Sequence, residues 1–408
     1  MLRMRRRTLL ASTSLVVAAP AIVRAQAQNR FALVIGNSRY RYESSLPNPK
    51  RDSADVAARF RAYGLQTELV EDADRAKMQQ AIDKLAAKAK GADLAAFYYA
   101  GHGLYWENNA YMVPVDGDLS SPDKVRNFVG VPAMRKVVGT AAHRLLIFDN
   151  CLNNPADGWR QTATEDKARG TVGRGYQEPP NGLYMYSSVP GRIAPDGPPG
   201  QNSPFGAAFL RVLDGSDVDL RTLTARVNRE VIIASAGRQI CSFRNAYAEP
   251  YVLRTSPPVK FPPAANPLAA DASRVVELPN AIAFAREHKL PLPLSLIGIR
   301  PPAGMPHANK VGSYRYDVGG QSNIFVIFNV EEPKSAEVLL VYHLDGTTTW
   351  TWVRGSLAND KLEVKARSGG GTHVFTWSDG NGGSLSIFPA ADTTSTRITQ
   401  GRFSRLDG

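Results

Sequence analysis

At 408 residues, with 43% apolar and 21% charged side chains, the chain is long enough for more than one hydrophobic core and too ordinary in composition for a fibrous repeat or wholesale disorder. Its formal charge of +12 includes five arginines within the first 25 residues, which leaves +7 for the rest, scattered among acids. There is no basic stripe with interleaved aromatics, so nucleic acid is excluded as an expected partner.

Residues 1–27 read as an export signal, because Arg3, Arg5, Arg6 and Arg7 precede an apolar run from Leu9 to Val23 and then small residues. Arg6-Arg7-Thr8-Leu9-Leu10 also fits a twin-arginine pattern, and cleavage after Ala25 or Ala27 suits the small-residue rule. The expected location is the bacterial periplasm or the surrounding medium, with no stable membrane span after signal removal. An uncleaved anchor is the alternative, although about 15 apolar residues fall short of the roughly 20 that a span needs.

Over residues 28–255 short apolar strands alternate with helical segments. Phe31 to Gly36 suits a strand buried on both faces. A helix is expected from about Asp52, with Val56, Phe60 and Tyr63 on one side and Gly64 placed to end it. Leu65 to Val70 reads as the next strand, and Asp72 to Lys90 as a helix with Met78, Ile82, Leu85 and Ala89 at helical spacing. Asp93 to Ala100, Tyr111 to Val115 and Arg144 to Asp149 continue as strands, with a short helix around Val131 to Val138. This alternation predicts an α/β domain with a mostly parallel sheet and helices on both faces. Leu152 to Pro180 has the composition of a long loop, and strand pattern resumes at Gly182 to Ser187. Helices over about 204–213 and 220–234 and a strand pair near Gln239 to Phe243 and Pro250 to Leu253 close the domain.

Residues 256–310 carry eleven prolines and read as a linker with one helix around Pro279 to His288. Residues 311–408 show short alternating runs joined by Asp345-Gly346, Asn359-Asp360 and Asp379-Gly380, the pattern of an all-β antiparallel sandwich or small barrel. Trp350, Trp352 and Trp377 fit core packing there, or a ligand surface.

In open sheets of this kind functional loops gather beyond the carboxyl ends of the strands. Two such ends carry chemistry: Tyr98-Tyr99-Ala100-Gly101-His102-Gly103 and Phe148-Asp149-Asn150-Cys151. A thiolate needs a base to form and the leaving amine needs an acid, and an imidazole serves for both. His102 between two glycines and Cys151 just past a strand form such a pair, while a buried structural thiol is the plain alternative. Cys151 and Cys241 are too few for a disulfide scaffold, but an oxidising compartment would permit one bridge between them, acting as an off-switch. His143, His288, His307, His343 and His373 lack metal-ligand spacing and are expected on surfaces; no metal site is expected.

The pair Tyr99-Ala100-Gly101-His102-Gly103 and Asp149-Asn150-Cys151, 49 residues apart, resembles the caspase-like cysteine peptidases, including metacaspases and their bacterial relatives. Ala32-Leu33-Val34-Ile35-Gly36-Asn37, Asn48-Pro49, Asp52, Asn153-Asn154-Pro155, Ser187-Ser188-Val189-Pro190-Gly191, Asp196-Gly197 and Ser203-Pro204-Phe205 agree with the bacterial members. The resemblance spans roughly residues 30–254 and implies a caspase-like three-layer α/β/α domain. It further implies Cys151 as nucleophile, His102 as general base and then acid, and the backbone N–H groups of Gly103 and Cys151 as oxyanion donors. Asp149, and more weakly Asp196, would line the pocket for an Arg or Lys side chain preceding the cut bond; Asp149 could instead cap a loop. Polypeptide substrates are implied and no cofactor, although some relatives need calcium. Asn150, Leu152 and Cys241 depart from the family pattern. Lys167, Arg169 and Arg174 would suit self-cleavage or merely a solvated loop. The expected activity is an endopeptidase cutting after Arg or Lys. A catalytically inactive scaffold binding through its β-domain, or hydrolysis of a non-peptide acyl substrate, would suit the same fold.

Overall fold

The structure is a computed structural model that describes residues 29–106, 109–151, 180–189, 194–215, 218–253, 272–290, 297–301, 304–330, 334–344, 347–366, 371–390 and 397–407. The signal segment, the loop carrying Lys167, Arg169 and Arg174, and Pro190-Gly191 lie outside the described residues, as do the side chains of His343, Trp350 and Trp352.

The first domain is built from β1 (Arg30–Gly36), α1 (Pro49–Ala62), β2 (Gln66–Glu71), α2 (Arg75–Ala89) and β3 (Leu94–Ala100), followed by three short strands β4 (Gly103–Trp106), β5 (Asn109–Met112) and β6 (Val129–Gly130). It continues with α3 (Val131–Val138), β7 (His143–Asp149), β8 (Gly182–Tyr186), α4 (Pro204–Leu213), α5 (Leu220–Ala234) and β9 (Ser242–Asn245). The main sheet runs in the order β2-β1-β3-β7-β8-β9, parallel throughout except for the β8–β9 pair. Because successive side chains in a strand point to opposite faces, each buried strand feeds two cores. Tyr98, Leu145 and Ile147 pack with α1, α4 and α5, whereas Phe97, Tyr99, Leu146 and Phe148 pack with α2 and α3. All seven residues of β3 are buried, which explains why they read as a continuous apolar run.

Two expectations are corrected here. Tyr111 and Met112 do not join the main sheet but pair in an antiparallel three-stranded sheet, β4-β5-β6, whose first strand follows the carboxyl end of β3 after two residues. Gln239 to Cys241 form no strand; β9 begins at Ser242, and Val252 makes a single bridge to Asp219.

The proline-rich stretch contains β10 (Val275–Glu277), α6 (Pro279–Glu287) and β11 (Ile297–Ile299), with β10 and β11 paired antiparallel. Beyond it, β12 (Gly312–Val318), β13 (Gln321–Val330), β14 (Ser335–Leu344), β15 (Thr347–Ala358), β16 (Lys361–Lys365), β17 (Thr372–Trp377), β18 (Gly382–Phe388) and β19 (Thr399–Asp407) form a closed barrel. Closure comes from β12 pairing with β19 and leaves no free edge. Of the two expected β architectures, the barrel is therefore the one adopted. An eight-stranded barrel is just wide enough for side chains to fill. Tyr314, Tyr316, Phe325, Phe375 and Phe403 occupy the interior, with the Phe325 and Phe375 ring centroids 4.0 Å apart. Trp377 packs into this core. His373, expected on the surface, is 2% exposed because strand alternation turns it inward with Phe375 and Trp377.

Candidate active site

The β3–β7 register ends on Ala100 opposite Asp149, and Gly101 N–H extends it by donating to Asp149 O at 3.2 Å. His102 and Cys151 therefore leave neighbouring parallel strands at the same level, where strand axes are about 4.8 Å apart. This is the rim that alternation of strand and helix assigns to function.

His102 is fixed from three directions. Its Nε2 lies 2.8 Å from Ser44 O, its backbone N–H donates to the Tyr40 hydroxyl at 2.7 Å, and the Tyr40 ring sits 4.5 Å from the imidazole. A carbonyl can only accept, so the Ser44 contact assigns the proton to Nε2 and makes Nδ1 the basic nitrogen of the neutral ring. Val113 N–H donates to His102 O, so by antiparallel alternation Gly103, opposite Met112, is a non-bonded position of the ladder whose N–H points away from β5. A Cβ on Gly103 would lie 2.0 Å from Asn150 Nδ2, so glycine is required there. The Asn150 amide in turn donates to Cys151 O at 2.8 Å.

Cys151 is half-buried, with Sγ 3.6 Å from Ala194 O. Burial pushes its thiol up to about 11, and the nearby Asp149 and Asp196 charges add to the shift. Both cysteines are free; Cys241 is 2% exposed, with its backbone N–H donated to Asn228 Oδ1. The bridge that an oxidising compartment would permit between them is not formed here.

Three carboxylates gather on the α1/α4 face below this rim. Asp149 Oδ2 accepts from Ser203 Oγ at 2.6 Å and lies 3.4 Å from the Tyr98 hydroxyl. Burial raises the Asp149 carboxyl to about 7, against the lowering effect of the Ser203 bond. Asp52, 1% exposed, accepts from Asn202 Nδ2 at 2.9 Å and Ser203 N at 3.1 Å; burial and the neighbouring Asp149 charge raise it well above the carboxylate range. Asp196 is half-buried, accepts from Asn48 N at 3.3 Å, and is raised to about 6 by burial.

Local sequence explains how these groups are held. Ser203-Pro204 is a helix start, with proline at the first helical position and the serine oxygen accepting Gly206 N–H at 2.7 Å. A Cβ on Gly206 would meet Asp52 Oδ1 at 2.4 Å, so the amino end of α4 packs directly on that carboxylate, where the helix dipole favours negative charge. Asn48 ties down the Asp196 segment through its amide, which reaches Asp196 O at 2.7 Å and Pro198 O at 2.9 Å. Sequence reasoning named Asp149 and Asp196 but missed the participation of Asp52, Ser203 and the Ser44 carbonyl.

With this geometry in hand, comparison with known proteins is decisive for the first domain. The Caspase domain family profile matches residues 29–250, more than half of the chain. The chain belongs to the caspase-domain family. The family consists of cysteine peptidases, some of them inactive, and acts on polypeptides. Human mucosa-associated lymphoid tissue lymphoma translocation protein 1 is 28% identical over 122 residues, which is 30% of this chain and 15% of that protein. The crystal structure of caspase-1 from Spodoptera frugiperda overlaps 56% of this chain and 90% of its own, at 17% identity and a TM-score of 0.38. Among the described residues of this caspase-domain protein no helix is long and apolar enough to cross a membrane.

Proposed function

We propose that the chain is an exported cysteine endopeptidase that cuts after Arg or Lys through an acyl-enzyme on Cys151. The observation that carries this reading is the Gly101 to Asp149 hydrogen bond, which brings His102 and Cys151 level on adjacent strand ends.

In the proposed reaction His102 Nδ1 takes the Cys151 proton as sulfur attacks the carbonyl carbon, since a thiol held up at about 11 is neutral at physiological pH. Negative charge moves to the carbonyl oxygen, which the Gly103 and Cys151 N–H groups would receive. Collapse breaks the C–N bond, the imidazolium gives its proton to the leaving amine, and a thioester remains. Water then attacks the thioester with His102 as base, releasing the acid and the thiol. The Ser44 carbonyl supports the imidazolium formed between these steps by holding Nε2–H. Asp149, with Asp52 and Asp196 beside it, offers an Arg or Lys side chain a buried anionic partner.

Replacing Cys151 by Ala should abolish turnover of a peptide carrying Arg or Lys before a reporter; unchanged turnover refutes the assignment. Asp149→Ala should weaken cationic substrates selectively, and an equal loss for uncharged ones would assign it a folding role.

One observation favours a second reading, an inactive scaffold: the thiol is neutral and engaged with Ala194 O. An electrophile with a basic side chain separates the two, since a competent dyad is labelled at Cys151 and a scaffold is not.

A further inference from the structure

We infer that Tyr40 is a positioning residue for His102, an inference that rests on the dyad reading above. Tyr40 is 8% exposed and lies four residues before Ser44, so one segment supplies both the phenol and the carbonyl that hold the histidine.

The hydrogen-bond arithmetic is closed. Each phenol has a single hydrogen. The Tyr99 hydroxyl is 2.7 Å from His102 O and 3.0 Å from Val113 O, and carbonyls only accept, so its hydrogen goes to one of them. At the 3.4 Å contact between the two hydroxyls Tyr40 is therefore the donor, while its oxygen accepts His102 N–H. With the Tyr99 hydrogen on the shorter contact, to His102 O at 2.7 Å, the N–H and C=O of His102 are joined through two buried phenols. Burial keeps both protonated, raising each above the ordinary phenol range.

The backbone leaves no room for an alternative. Gly101 has φ 151°, and a Cβ there would lie 2.5 Å from the Tyr40 oxygen and 2.7 Å from the Tyr99 oxygen. The hydroxyls are pressed against the turn that carries His102, and the Tyr40 ring, tilted 55° to the imidazole, restricts its rotation. With Nε2 tethered to Ser44 O, these restraints hold the Nδ1 edge in one orientation. Tyr40 touches neither substrate nor sulfur on this account; it acts through His102.

Misplacing a reacting group by about 1 Å can cost on the order of a hundredfold in rate. Full-length Tyr40→Phe, which keeps the ring and removes the hydroxyl, should lower kcat about tenfold to a hundredfold with KM for an Arg peptide unchanged. The rate of Cys151 alkylation by iodoacetamide should fall in parallel, because it reads the same proton transfer without any substrate. Tyr99→Phe opens the loop from the other side and should give a smaller loss of the same kind. A Tyr40→Phe protein with kcat and alkylation within about twofold of the parent overturns the inference, as does a lower Tm with unchanged kcat per folded molecule. The dyad reading fails separately, through a Cys151→Ala control that keeps its activity.

Discussion

Ser203 Oγ donates its one hydrogen to Asp149 Oδ2 at 2.6 Å while its oxygen accepts the Gly206 N–H at 2.7 Å. The start of α4 and the floor of the proposed pocket are therefore the same object. Ser203→Ala should raise KM for Arg and Lys peptides about tenfold, the size of a hydrogen bond to a charged group, and cost the helix its cap, about 1 kcal/mol. Steady-state kinetics on peptides differing only in Arg or norleucine before the cut bond check this. Equal losses for both would disconnect the serine from charge recognition.

The pH dependence follows from the raised carboxyls. Asp196 at about 6 and Asp149 at about 7 are neutral at low pH and ionise as it rises. A cationic side chain prefers the ionised forms, so KM for Arg peptides should fall between pH 5 and about 8 while norleucine peptides show no such trend. Stability runs the other way. The folded protein retains protons that the unfolded chain loses near pH 4, so this contribution to stability is present at low pH and lost as pH rises through about 6 to 7. Tm measured at pH 5 and 8, with Asp149→Asn to remove the titrating carboxyl and flatten the difference, tests the sign.

Gly103 and Asn150 form a pair that a double-mutant cycle can resolve. Gly103→Ala places a methyl 2.0 Å from Asn150 Nδ2 and should lower Tm and turnover sharply. Adding Asn150→Ala removes that atom and leaves only a Cβ contact near 3.0 Å, so the double variant should recover much of the loss. Strictly additive losses would mean that the two side chains do not meet.

Inside the barrel, Phe375 touches Phe325 at 4.0 Å between centroids and packs edge-on against Tyr316 and Phe403. Phe375→Ala should cost about 3–5 kcal/mol of barrel stability, readable by denaturant unfolding. A loss below about 1 kcal/mol would indicate a loosely filled interior.

How much of this was legible beforehand depended on range. The parallel sheet was, because β1 and β3 are apolar at every position that two buried faces demand. The two site-bearing turns were, because glycines flank His102 and a buried strand ends just before Cys151. The destination of Tyr111 and Met112 was not, since β propensity says that a segment extends and is silent on which sheet receives it. His373 looked like a surface histidine until closure of the barrel fixed which alternate positions face inward. Ser44 acts through its carbonyl, a group every residue owns, so no letter in the sequence could mark it. Ser203 caps α4 locally, but its bond to Asp149 spans 54 positions and belongs to tertiary structure.

The outer wall of the barrel has a consequence for the peptidase rim. Val189 and Ile240, both from the first domain, are buried in the same apolar cluster as Phe328 and Val330 of β13. Gly237, at φ 82°, brings its backbone against Asn329. Gln239 Nε2 grips Ser187 O at 2.7 Å, and the Ser187 hydroxyl reaches Asn150 O at 3.3 Å, one residue from the nucleophile. Severing the barrel would strip a greasy seam bare and unbrace the turn on which the sulfur rides, so the C-terminal quarter of the chain acts as a keystone for the N-terminal part and not as a detachable accessory.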